Sequence, residues 1–108
     1  SHKFCIGFLF GFLFAMISTA KLQSQEQEMI KLLMVKLMQD LFEFTADKAE
    51  KISNSISSKD PEYYESEHFK HGLVVGGNEW TQFAKSEFKS SIGQLFDENI
   101  SKYKNEFQ

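Results

Sequence analysis

Within "EYYESEHFKH", residues 62–71, carboxylates and imidazoles recur at helical spacing: Glu65 and His68 are three apart, Glu67 and His71 four apart. On a helix each pair shares a face, and carboxylate with imidazole is a donor set for a divalent metal ion. A dinuclear site of the helical-bundle type needs a second Glu-x-x-His and further inward carboxylates, and the only other histidine is His2. Acidic residues at the start of a short helix and basic residues at its end also answer the helix dipole. The pattern therefore needs no metal, and we assign neither a metal ligand nor a cofactor.

Nucleophilic chemistry has less to build on. No G-x-S-x-G elbow occurs, and the single cysteine, Cys5, sits inside the apolar N-terminal run. Gly76-Gly77 ahead of a helix start would suit an anion, but the Walker and GxGxxG spacings are absent and Glu79 would repel the ligand. No catalytic residue is assigned, and the expectation is a protein that is not an enzyme. Asn99-Ile100-Ser101 is a glycosylation sequon. Asn99 falls among apolar positions, where a glycan would oppose packing.

Two sequence features could hold an apolar ligand. Met34, Met38 and Phe42 form a soft, adaptable surface, and Trp80 with Phe83 could complete a pocket. In a chain this small the same residues also serve as core.

These residues must be positioned by helices. "EQEMIKLLMVKLMQDLFEFTADKAEKISNSI", residues 26–56, reads as one long helix, with one apolar stripe through Val35, Met38, Phe42, Thr45, Ala49, Ile52 and Ile56 and a second through Ile30, Met34, Leu37, Leu41 and Phe44. The apolar arc is wide up to Phe44 and narrow beyond it. Asp60 with Pro61 opens a short second helix, and Gly72 is expected to end it. "GLVVGG" reads as an extended bridge between glycines, and Asn78 as the cap of a third helix running toward Phe107. The apolar residues of that helix change face near Ser90 to Gly93, which predicts a kink.

The N-terminal run "FCIGFLFGFLFAMISTA" has no charged side chain between Lys3 and Lys21. A positive start, an apolar run of about 7–15 residues and small residues before the cut define a secretory signal. Lys3 supplies the charge, and Ser18 and Ala20 supply the small side chains, so cleavage after Ala20 is expected. An uncleaved membrane anchor is the alternative, although 17 residues from Phe4 are short of the about 20 that span a bilayer. Gly7 and Gly11 stand at the GxxxG spacing that lets membrane helices approach closely, a match that coincidence also explains in a run this rich in Phe and Gly.

Cleavage would leave residues 21–108 as one small domain without cysteine, and loss of Lys3 would take the net charge from −3 to −4. The chain contains no arginine, and an acidic balance of this kind lacks the footprint of a nucleic-acid binder. A small secreted domain without disulfides must be held by helix packing, a partner or self-association.

The sequence thus predicts an all-α protein: a signal over residues 1–20, then a secreted three-helix bundle over residues 21–108 with a long first helix, a short second and a long, kinked third. No motif set assigns it to a family. The expected role is that of a non-enzymatic protein acting on an extracellular protein partner. Carriage of a small apolar ligand or lipid and attachment to a membrane through the uncut N-terminal helix are the alternatives, and homo-oligomers are anticipated from the wide apolar arc of residues 30–44.

Overall fold

A left-handed backbone residue at the end of a helix is usually glycine, yet here Lys21, Glu43, Lys59 and Glu87 take that conformation, with φ of 52°, 59°, 57° and 58°. Gly7, Gly11, Gly72, Gly76 and Gly77 are used elsewhere, inside helices, and this inversion shapes the fold. A computed structural model of the chain describes residues 2–87 and 97–99, which are helical with no strand among them. The helices are α1 (Lys3–Ala20), α2 (Ser24–Phe42), α3 (Ala46–Ser57), α4 (Pro61–Tyr64) and α5 (Glu67–Lys85), with a further helical turn at 97–99.

The N-terminal run is α1, and its first two turns and more are buried on nearly every side: Phe4, Cys5, Ile6, Gly7, Phe8, Phe10, Gly11 and Leu13. A helix apolar all round is either a core helix or a membrane span. In this fold α1 takes the central position. Lys21 closes it, donating its N–H to Ile17 O at 3.0 Å.

The expected long first helix is two helices. Glu43 leaves the helical region at positive φ, and Thr45 starts α3 by accepting a hydrogen bond on Oγ1 from the Lys48 N–H at 3.2 Å. A Thr cap of this kind is worth about 1 kcal/mol. The corner carries neither glycine nor proline, so nothing in the composition marks it. Beyond it the first stripe behaves as read, with Ala49, Ile52 and Ile56 buried.

Asp60 and Pro61 open α4 as their types require: Asp60 Oδ1 accepts from the Glu62 N–H at 2.9 Å. That helix ends at Tyr64, not at Gly72. Ser66 then caps α5, its Oγ accepting from the Phe69 N–H at 3.4 Å. Gly72, Gly76, Gly77 and Asn78 all lie inside α5. The extended bridge and the Asn78 cap are therefore corrected: one continuous helix runs through them. The expected kink near Ser90 to Gly93 and the helix toward Phe107 lie outside the described residues.

A main core cluster draws on every helix: Ile6, Phe10 and Leu13 from α1, Met34 and Met38 from α2, Ala49, Ile52 and Ile56 from α3, Tyr63 from α4 and Phe69 from α5. Each large apolar side chain buried this way contributes about 1.5–3 kcal/mol. A smaller cluster joins Phe4, Cys5 and Phe8 to Val75. The Lys3 ammonium stands 5.8 Å from the Tyr63 ring centroid, which ties the start of α1 to α4.

Candidate functional site

Among the described residues the most intimate contact joins α1 to α5. A Cβ on Gly72 would overlap the Phe4 carbonyl oxygen, and one on Gly76 would overlap that of Phe8. Reciprocally, a Cβ on Gly7 would overlap the Phe69 carbonyl oxygen and one on Gly11 that of Leu73. Both helices thus carry the i, i+4 glycine pair, and the successive pairings show that they run in the same direction. Glycine inside a helix costs about 1 kcal/mol against alanine, and what offsets it here is backbone approach that no other residue permits.

Further along the same seam the Phe12 and Trp80 rings meet edge to face at 5.6 Å. The Trp80 indole N–H donates to Thr19 Oγ1 at 3.3 Å, and Thr19 itself donates to Ala15 O at 2.8 Å. Ser18, Thr19 and Ala20 are exposed at the end of α1. The segment read as a cleavage site is therefore reachable by solvent while its middle residue is held to α5.

The residues considered as an apolar surface fall into two places. Met34 and Met38 are buried in the main core. Phe42 is half-buried, with its ring 5.2 Å from that of His2 and 5.3 Å from that of Phe44. Trp80 stands instead on the α1–α5 seam, with the Phe83 ring of its own helix 6.2 Å away.

The "EYYESEHFKH" cluster is divided between two helices. Glu65 is the C-terminal cap of α4, whereas Glu67, His68 and His71 belong to α5, so Glu65 and His68 do not share a helical face. Glu67 pairs with Lys70 at 3.3 Å, and the His71 ring lies 5.6 Å from that of Phe4. Among the described residues no three of His, Cys, Asp and Glu come together. Asn99 is half-buried in the turn at 97–99.

Sequence spacing did not reveal a cleft of about 460 Å³ at which all five helices meet. Its apolar surface comes from Phe14 of α1, Ile56 of α3 and Leu73 of α5, and its polar groups are Lys31, Ser57, Lys59 and Tyr64. No carboxylate lines it, in a chain whose net charge is −3. The wall from Ile56 to Lys59 is shaped by the end of α3, where the Lys59 N–H donates to Ile56 O at 3.1 Å and the Ser58 hydroxyl donates to Ser55 O at 3.1 Å. The Tyr64 ring rests edge-on against Phe69 at 5.2 Å. Burial raises the Tyr64 phenol above its ordinary range, so the hydroxyl stays protonated. The signal that could have pointed here is compositional: two lysines, a serine and a tyrosine stand within a few residues of core positions on three different elements.

Among the described residues one side-chain oxygen is buried without a hydrogen-bond partner. Glu79, on α5, is 1 % exposed, and its Oε1 has no hydrogen-bond partner. An unsatisfied buried polar group costs about 1–3 kcal/mol.

A different kind of surface lies on α2. Met29, Leu32, Leu33 and Leu41 are 69 %, 70 %, 54 % and 59 % exposed. Met29, Leu32 and Leu33 lie on the side of the helix away from Met34 and Met38, which enter the core, and Leu41 lies beside Met38 near the helix end, so α2 is apolar on more of its circumference than the described residues cover.

No protein-family model matches the chain, and it matches neither a curated protein nor a solved structure.

Proposed function

We propose that this chain is a small, helical, non-enzymatic binding protein that keeps its N-terminal helix as part of the fold. The observation that supports retention is the reciprocal glycine contact between α1 and α5. Loss of residues 1–20 would bare Phe69, Gly72, Val75 and Gly76 together, and would leave α5 with two interior glycines, Gly72 and Gly76, whose cost nothing then offsets. Cys5 would then be part of the working protein, buried within α1. The binding role is supported by the exposed apolar side chains of α2, since uncovered apolar surface of this kind marks an interaction face. A second copy of the chain is the partner that face is proposed to meet first.

A second reading has its own support. Ser18 and Ala20 are exposed at the end of α1, and an 18-residue apolar helix near the N-terminus has the length and composition of a signal or an anchor. On that reading residues 21–108 act outside the cell on a protein partner. Intact mass separates the two. The chain is expressed in cells with a secretory pathway, and medium and cells are analysed. A species that still carries residues 1–20 is the expected result, whereas a product in the medium beginning at Lys21 would overturn retention and establish the secreted domain. The same spectrum reports any glycan on Asn99.

A further inference from the structure

We propose that the cleft among the five helices binds a single-chain fatty acid, with its carboxylate held between Lys31 and Lys59 and its chain laid on Phe14, Ile56 and Leu73. The inference rests on retention of α1, because Phe14 is one of the three apolar residues of the cleft.

Three observations carry it. The first is charge. Two lysines line a cleft that has no carboxylate among its residues, although acidic residues outnumber basic ones in the chain by 15 to 12. Glu28 is the nearest acid to Lys31, at 3.7 Å on the same helix, and both side chains are more than half exposed. An exposed pair of that kind contributes about 0.2–1 kcal/mol, so an anion can displace it at little cost. Lys59 has no ion pair among the described residues. The second is the polar complement. Ser57 and Tyr64 add hydroxyls that can donate to an oxyanion, and the Tyr64 phenol is protonated at neutral pH.

The third is the apolar part and the size. Phe14 is 42 % exposed within the cleft wall, a large ring left open to solvent by a helix that is otherwise well covered up to that point. The volume lies within the about 300–1,000 Å³ typical of small-molecule sites. A compact inorganic anion would leave the phenyl, isobutyl and sec-butyl groups wet. A neutral hydrocarbon would leave the lysines unanswered. A charged head on one flexible apolar chain answers both.

Isothermal titration of the purified full chain with laurate, below its micelle concentration, tests this. Using residues 1–108 without a secretory route keeps the outcome independent of how cells process α1. Saturable binding at one laurate per chain is expected, at least tenfold weaker in the double variant Lys31→Glu, Lys59→Glu and unchanged in Lys36→Glu, whose lysine pairs with Asp40 away from the cleft. Dodecyltrimethylammonium, with the same chain and the opposite charge, should not compete. Both cleft lysines lie at the surface, so the variants should retain their helical circular dichroism. Absence of saturable laurate binding would overturn the proposal. So would equal affinity for dodecyltrimethylammonium, or indifference to the double substitution, either of which would indicate non-specific uptake by apolar surface.

Discussion

The α1–α5 seam and the outer face of α2 are both apolar, but they are built in opposite ways. Along the seam, Gly7 and Gly11 meet Gly72 and Gly76 so closely that no Cβ fits between the backbones. On α2, Met29, Leu32, Leu33 and Leu41 extend large side chains into solvent. Apolar character alone therefore does not say where a helix is buried. Side-chain volume decides how near a neighbouring backbone can come, and among the described residues the closest packing occurs where side chains are missing.

This contrast is sharpest at neighbouring glycines. Gly76→Leu should be the most damaging single change: its side chain would begin inside the Phe8 carbonyl, forcing α1 and α5 apart and losing several kcal/mol, on the order of the 1–3 kcal/mol of overpacking plus the contacts that separate. One residue on, a Cβ at Gly77 would lie 3.8 Å from its nearest neighbour, the Gly11 carbonyl oxygen. Gly77→Ala should accordingly stabilise by up to about 1 kcal/mol through helix propensity. Urea melts of the two variants, followed by helical circular dichroism, check both. Equal tolerance at positions 76 and 77 would mean that α1 does not sit on α5.

The α2 face should respond differently. Leu32→Gln removes an apolar side chain that is 70 % exposed, so stability should move by no more than about 0.5 kcal/mol. Self-association should fall, and light scattering at micromolar concentration would show it. A chain that is monomeric before the substitution would remove the second copy as the partner of this face.

The smallest effect concerns alkaline pH. Burial raises the Tyr63 phenol above its ordinary 10.0, and the charges of Glu62 and Asp60 push it the same way. Below pH 10 the phenol is protonated in both folded and unfolded chains, and its contribution to stability is constant. As pH rises past 10 the unfolded chain loses its proton first, so stability declines until the folded-state value is passed. Thermal melts between pH 8 and 11 should show that decline reduced in Tyr63→Phe. An identical alkaline decline in the variant would mean that Tyr63 is not held in the core.

Much of the helical character could be read from the residues, because it depends on local chemistry. The Asp60-Pro61 start, the Ala49, Ile52, Ile56 stripe and the continuous apolar helix at the N-terminus all follow from caps and spacing within a few residues. The failures have one cause. Gly72 reads as a helix end and Gly76-Gly77 as part of an extended bridge because glycine most often marks a chain reversal, while the reversals themselves fall to Lys21, Glu43 and Lys59. The cleft was illegible for a related reason: its seven residues come from five helices and the turn after α3, and no spacing within one helix brings them together.

The sequence by itself determined an all-α chain with an apolar N-terminal helix, a capped short helix and an acidic, arginine-free surface, since each depends on residue type and on neighbours within a turn or two. Only the tertiary structure decided that the GxxxG pair of α1 has its counterpart at Gly72 and Gly76, more than sixty positions away, and that Lys31, Lys59 and Phe14 share a cleft. Backbone contact between distant helices is a property of both surfaces together, and a single stretch of sequence carries only one of them.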